Sequence, residues 1–456
     1  MRCHIMDKKR GSFSGGLGFV FAAAGSAVGL GNLWRFPYLA AQYGGGIFLL
    51  VYLILAVTFG FALLTAEIAI GRKTKLSPVL AYKKLNKKFS FLGYIATLVP
   101  IIIIPYYCVI GGWVTKYVTV YAQGLVAPAA KDGYFSDFIG HPVSPLVFFL
   151  IFMLLSIVVI MLGVKKGIEK LSKFLMPLLV VLTIGIAIYA LTLPNAMEGV
   201  KYYLIPDFSK FSILTVAGAM SQLFYSMSIA MGIMVTYGSY TRDDVNLTKS
   251  VNRIEFFDTL VALLAGLTII PAVYIFSGEE GLSSQGAGLM FMTLPKVFQQ
   301  MPGGNIIALL FFVLVFFAAI TSSISVMEAI VSSLMDKFHL KRIPCCLIVI
   351  GICLLLGIPS SLGNGLWANI KILGMDFLTF FDYISNSILM PIVAFCTCIL
   401  VGWVVKPKVL TDEITKNGEK FGRKKLFNVM IKYVAPICLL FIFVTGILSQ
   451  LGIITI

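Results

Sequence analysis

Long apolar runs separated by short polar stretches cover this chain from end to end. They lie near 14–37, 44–71, 91–124, 145–163, 172–193, 213–239, 254–277, 304–335, 343–361, 376–404 and 427–450. Most reach the roughly 20 residues that cross a bilayer. Backbone polar groups in lipid must be paired within their own segment, so the runs are predicted to be helices. Several are longer than a span needs, which implies tilt or projection beyond the bilayer. The expectation is an all-α integral membrane protein of about eleven spans. It reads as one domain over 1–456, because no low-complexity stretch and no Pro- or Ser-rich linker interrupts it.

Composition agrees. The chain is 59% hydrophobic and 12% charged, and a soluble domain carries about twice that charge. The net charge of +16 would suggest nucleic acid in a soluble protein. Here the basic residues sit in alternate loops: Arg2 to Arg10, 72–88, 165–173, 242–253, 336–342 and 406–425. By the positive-inside rule these loops are cytoplasmic. The N-terminus is then cytoplasmic and the C-terminus extracellular, in the cell membrane. The bilayer, not nucleic acid, is the expected macroscopic partner. The loops 239–254 and 405–426 are expected at the inner surface, so the sequon at Asn246 is not expected to be glycosylated. The basic start lacks an apolar run and cleavage site, so no secretory signal is expected.

The eight cysteines fall in spans or cytoplasmic segments, so no structural disulfide is expected. Cys345-Cys346 and Cys396-x-Cys398 read as packing rather than metal ligands. The three histidines, His4, His141 and His339, lie at ends or in loops. No nucleophile–base or paired-histidine arrangement suggests an enzyme.

Two spans are poorly built as helices. The first, GGLGFVFAAAGSAVGLGNLWRFPYLA, holds Gly25, Gly29 and Gly31 and then Asn32, Arg35 and Pro37. Each glycine weakens a helix by up to about 1 kcal/mol relative to alanine. Glycines alone could serve packing, but Asn32 and Arg35 at depth need partners or a water path. The sixth span carries Gln222, Tyr225, Ser226 and Ser228 before Ala230-Met231-Gly232. Two interrupted spans, each opening a five-span half (about 14–194 and 213–404), point to an inverted-repeat transporter with an additional helix at 427–450. The other intramembrane polar groups are few: Glu67, Asp258, Glu328, Asp376, Asp382 and Thr321-Ser322-Ser323. A buried carboxylate such as Asp258 needs a cation or a proton.

The motif GSAVGLGNLWRFPYLAAQYGGG (25–46) strongly resembles the neurotransmitter:sodium symporter family, the LeuT-like transporters. The likeness recurs in KGIEKLSKFLMP (166–177), SQLFYSMSIAMG (221–232), TSSISVMEA (321–329) and DYISNSILMP (382–391). The span count, short termini and lack of outer-loop cysteines look like the prokaryotic branch. The resemblance implies alternating access, a LeuT-type 5+5 repeat with helices 1 and 6 unwound at mid-membrane, and two sodium ions. One ion would bind Ala27, Asn32, Ser226 and Asp258 with the substrate carboxylate. The other would bind Gly25, Val28, Ala318, Thr321 and Ser322. Both sets are all-oxygen, as a hard cation requires.

The resemblance further implies a substrate pocket lined by Ala27, Leu30, Gly31, Ile103, Tyr107, Tyr225, Ser226, Ser228, Met231, Ser322 and Val326. Gly29 stands where monoamine members carry an aspartate. The substrate is then expected to bring its own carboxylate to the first sodium, the Leu30-Gly31 amides and Tyr107. The mostly apolar subpocket favours a hydrophobic or aromatic amino acid. Two departures keep a polar or non-amino-acid ligand open: Tyr225 replaces a phenylalanine, and Ala230 replaces a glycine. Many relatives have a neutral Asn at the position of Asp258, and chloride-dependent ones need an anion near Gln222, Ser226 and Tyr52. The fixed carboxylate implies chloride independence. Gates are expected from Arg35 with Asp382 outside and Arg10 with Asp336 inside. Phe13 replaces a tryptophan near the inner gate, and Glu67 is expected to hold unwound backbone amides. A sensor that has lost transport is the alternative class. The oligomeric state is not legible.

Overall fold

The computed structural model describes residues 11–282, 286–450 and 453. Among them, nine helices are long and apolar enough to span a membrane: Gly46–Thr74 (α2), Lys87–Ala122 (α3), Ser144–Met161 (α4), Val164–Leu191 (α5), Leu247–Phe276 (α7), Gly304–Phe338 (α8), Arg342–Leu362 (α9), Phe377–Val404 (α10) and Lys424–Gln450 (α11). A tenth span is the pair Gly16–Ala27 (α1a) and Gly31–Gln42 (α1b), bent by 47°. The eleventh is Ile213–Ser226 (α6a) followed by Ile233–Tyr240 (α6b). The two breaks fall where glycine and polar residues interrupt the apolar pattern.

Helix 6 breaks through backbone geometry that side chains rarely adopt. Ser228 (φ 53°), Ala230 (φ 64°) and Gly232 (φ 70°) are all left-handed. A non-glycine residue there costs about 1–2 kcal/mol, so tertiary contacts must hold the segment.

Most helix limits lie within a few residues of the apolar runs. Two helices start well before their runs: α5, at Val164 instead of near 172, and helix 7. Helix 7 begins at Leu247, not near 254, because Asn246 accepts a hydrogen bond from the Lys249 amide at 2.9 Å and caps it. Asp258 therefore sits three turns inside the helix instead of near its start. Asp376 is likewise no mid-span charge. It is the N-cap of α10, accepting from the Thr379 amide at 3.0 Å and the Thr379 hydroxyl at 2.7 Å.

The basic loops converge on one face. Arg72 donates to the Glu413 carboxylate at 2.9 Å and to the Val245 carbonyl at 2.7 Å. The Ser77 amide donates to Asp336 at 2.7 Å, and Lys75 pairs with Asp243 at 2.8 Å. The Ser14 amide donates to Glu169 at 2.9 Å. One buried pair ties four elements there. Glu328 on α8 takes two bonds from Arg342 at the start of α9, at 2.7 and 2.8 Å. It also accepts from the Tyr240 hydroxyl at 2.7 Å, while Arg342 donates to the Ile160 carbonyl at 2.8 Å.

Removing one member of such a pair strands a buried charge, at about 3–5 kcal/mol. Glu328→Gln and Arg342→Gln are each expected to lower the melting temperature of the purified protein strongly. The double variant should lose less than the sum of the two. Additive losses in melting scans would show that the pair is not coupled.

Candidate functional site

The break in helix 1 frees oxygen atoms. In an unbroken helix the Gly29 amide would bond the Gly25 carbonyl. Instead it donates to the Asn32 side-chain oxygen at 3.1 Å. The Gly25 carbonyl is left with the Ser322 hydroxyl at 3.5 Å, and the Ser26 carbonyl accepts from Ser228 at 3.1 Å and Ser322 at 3.0 Å. Helix 8 brings its hydroxyls to the same place. The Thr321 hydroxyl lies 3.1 Å from the Ala318 carbonyl, and a side chain on Gly25 would touch the Thr321 Cβ at 3.4 Å. Gly25, Ala318, Thr321 and Ser322 thus meet at the seam of helices 1 and 8. Val28 ends α1a in an extended conformation beside them.

A second cluster centres on Asp258, which is fully buried. Its carboxylate accepts from the Ser226 hydroxyl at 2.6 Å, the Asn32 amide nitrogen at 2.8 Å and the Tyr52 hydroxyl at 3.4 Å. All three donors are neutral. Asn32 turns its nitrogen, not its oxygen, toward the carboxylate. To offer oxygen to a cation at Asp258 its amide must turn over and release the Gly29 amide.

All eleven residues expected in the substrate pocket line one inner cavity of about 30 Å³, joined by Ser26 and Gly29. Beside it the Tyr107 hydroxyl is buried without a hydrogen-bond partner among the described residues. A Cβ on Gly29 would stand 2.5 Å from the Ser322 hydroxyl, so a side chain there requires Ser322 to move. Above lies an outer cavity of about 210 Å³, sharing Leu30, Gly31 and Tyr225 and walled by Arg35, Tyr106 and Asp382. Tyr225 forms the floor between them, with the Arg35 guanidinium 5.6 Å over its ring.

Arg35 and Asp382 flank this outer cavity without pairing. Arg35 donates to the Ser221 hydroxyl at 2.8 Å and carbonyl at 3.3 Å, whereas Asp382 accepts from Asn386 at 2.6 Å and Tyr106 at 3.0 Å. The expected outer pair is therefore unmade in this arrangement, held apart by neutral partners. The opposite end is packed shut: Phe13 is buried against Tyr237 and Tyr240, with ring centroids 5.6 and 6.2 Å away, and its amide bonds the Tyr240 carbonyl. Asp336 accepts from the Ser77 amide; Arg10, its expected partner, lies outside the described residues. Ser26, Ser221, Tyr106 and Asn386 were not anticipated. Ser26 stood inside the glycine-rich motif and Tyr106 beside Tyr107, whereas nothing in the pattern singled out Ser221 as the Arg35 partner.

The sodium:neurotransmitter symporter family is matched over residues 10–127 and 136–453. The chain belongs to that family. A sodium-dependent transporter of Haemophilus influenzae is 34% identical, over 96% of this chain and 99% of the relative. The crystal structure of MhsT in complex with L-phenylalanine is 35% identical, with a TM-score of 0.87 over 96% of this chain and 100% of that one. The sodium- and chloride-dependent taurine transporter of Rattus norvegicus is 26% identical, over 89% of this chain and 73% of the relative. The protein is thus a multi-pass sodium-dependent transporter with the LeuT-type fold, not an enzyme.

The break in helix 6 has one carboxylate support. Glu67, buried on α2, accepts from the Ala230 amide at 2.7 Å, the role expected of it. Glu67→Ala would leave that amide unpaired in a dry site, at about 1–3 kcal/mol. We expect a lower melting temperature and weaker sodium-dependent substrate binding. Unchanged values of both would show that other contacts hold the segment.

Proposed function

We propose that this symporter imports an amino acid with a hydrophobic or aromatic side chain, coupled to two sodium ions and without chloride. The observation that carries the reading is the Asp258 cluster: a fully buried carboxylate whose donors are all neutral. Such a group calls for a cation or a proton, and we assign it a cation because Asn32 and Ser226 of both broken helices meet there. The first sodium would take Asp258, Ser226, the Ala27 carbonyl and a turned Asn32, with the substrate carboxylate as a further ligand. The second would take the carbonyls of Gly25, Val28 and Ala318 and the hydroxyls of Thr321 and Ser322. Oxygen-only ligation suits both. The unpartnered Tyr107 hydroxyl is available to the substrate carboxylate.

The substrate class rests on the apolar walls at Ile103, Met231 and Val326. The phenylalanine bound in MhsT supports it. The inner cavity is smaller than an aromatic side chain, so Tyr225 and the flexible Met231 must give way on binding. The hydroxyls of Ser26, Ser228 and Tyr225 favour a second reading, in which the ligand carries a polar side group. Competition by a panel of amino acids, amines and organic acids in sodium-dependent binding separates the two. Displacement by phenylalanine, leucine or tryptophan is expected. Displacement by amines alone would end the amino-acid reading.

Chloride independence follows from the fixed charge, although the taurine relative is named chloride-dependent. In proteoliposomes, replacing chloride with gluconate is expected to leave sodium-driven uptake unchanged. Asp258→Asn should raise the sodium concentration for half-maximal uptake roughly tenfold or more, about 1.4 kcal/mol. Loss of uptake without chloride, or unchanged sodium dependence in the variant, would refute the assignment. Sodium-dependent binding without accumulation would identify a sensor.

The converging basic loops support a cytoplasmic N-terminus. With eleven spans the C-terminus is extracellular. Cysteines introduced at the two ends of a cysteine-free variant should be labelled from opposite sides. Labelling from one side would overturn the odd count.

A further inference from the structure

On the basic face, the loop after α6b and the start of α7 close a cavity against residues 14–16 at the entry of α1a. Three cations line it, Arg242, Lys249 and Arg253, against one carboxylate, Asp244. Arg242 is held by Asp244 at 2.7 and 3.0 Å and donates to the Ser14 carbonyl at 3.3 Å. Lys249 and Arg253 are exposed and have no acidic partner among the described residues.

The same helix face then turns apolar. Lys249, Arg253 and Phe256 recur at helical spacing along α7 and share one stripe. Phe256 stands about 10 Å deeper than Lys249 at helical rise. It is 60% exposed, as is Leu17 on α1a at 58%. The neighbouring Phe257 ring meets Phe21 of α1a at 6.1 Å and closes the seam behind them. Orientation explains why basic residues lie on this face. It does not explain two unpaired cations in one cavity with an exposed apolar seam directly above them. An anionic amphiphile matches that order of charge and apolar surface.

We propose that an anionic phospholipid binds here, its phosphodiester between Lys249 and Arg253 and an acyl chain along Phe256 and Leu17. The proposal rests on this face lying at a membrane surface, as the family's multi-pass fold requires. Such a lipid would join the first half-helix to the helix that carries Asp258.

The test is lipid retention by the full-length protein in neutral detergent, read by native mass spectrometry after exposure to phosphatidylglycerol or phosphatidylcholine. Phosphatidylglycerol is expected to be retained in preference. Lys249→Gln with Arg253→Gln should weaken that retention roughly 30-fold. Lys87→Gln with Lys88→Gln, on the same basic face, should leave it unchanged. Equal retention of both lipids by the unaltered protein overturns the proposal, whether or not the variants fold. So does an equal loss in the control pair, which would make the effect one of general charge. Displacement of phosphatidylglycerol by millimolar inorganic phosphate overturns it as well, since the cavity would then be a site for free anions.

Discussion

A helix that unwinds inside a bilayer leaves amides and carbonyls that lipid cannot satisfy, and the centre of this molecule is organised by that requirement. Helix 1 loses carbonyl partners because the Gly29 amide turns to Asn32. Helix 6 loses amide partners because Ser228, Ala230 and Gly232 are left-handed. The remedies are opposite in sign. An orphaned amide needs an acceptor, and Glu67 reaches from α2 to supply one. An orphaned carbonyl needs a donor or a cation. The hydroxyls of Ser228 and Ser322 serve Ser26, but the Gly25 carbonyl keeps only a long contact. A bare cation suits that vacancy in bonding better than another hydroxyl, since it can meet several carbonyls at once.

The buried charges divide along the same line. Near the basic face they come paired, as in Arg342 with Glu328, Arg72 with Glu413 and Arg423 with Glu255. These pairs tie helix ends and loops together and leave no charge uncompensated. At mid-membrane the carboxylates are unpaired. Glu67 meets a backbone amide, and Asp258 meets two hydroxyls and an amide nitrogen. Only Asp258 is bonded to both broken helices, through Asn32 of helix 1 and Ser226 of helix 6. That difference in surroundings, not in residue type, is why we give Glu67 a supporting role and Asp258 an ion.

Much of this was legible in the sequence because membrane physics constrains it twice. Apolar length marked the spans, and polar interruption marked helices 1 and 6. Nine of the eleven pocket residues lie within the family motifs, Ile103 and Tyr107 being the others, and all line one cavity. What escaped was set by side-chain direction. The capping of α10 by Asp376 and of α7 by Asn246 looks, in one dimension, like a charge within a span and a loop beyond one. The partners of Arg35 and Asp382 depend on which neighbour is nearest in a particular arrangement of the gates. Spacing along a chain carries no such information. The orientation of the Asn32 amide is of the same kind, fixed by the Gly29 amide on one side and Asp258 on the other.

The two ends of the site differ in what closing or opening them requires. At the outer end, Arg35 and Asp382 are held by a serine, a tyrosine and an asparagine. Forming a charged pair there exchanges those hydrogen bonds to neutral partners, each worth about 1.5–3 kcal/mol because one member is charged, and requires side-chain rotation above Tyr225. At the inner end, Tyr240 is bonded to the Glu328–Arg342 pair, and Phe13 packs on Tyr237 and Tyr240. Opening there must separate α6b from α8 and the entry of α1a as bodies, because those contacts are shared among several elements. The outer end can therefore respond to a ligand locally, whereas the inner end responds only when the broken helices move. Linking the two through the oxygen ligands at those breaks is what would let ion and substrate binding at one end be felt at the other.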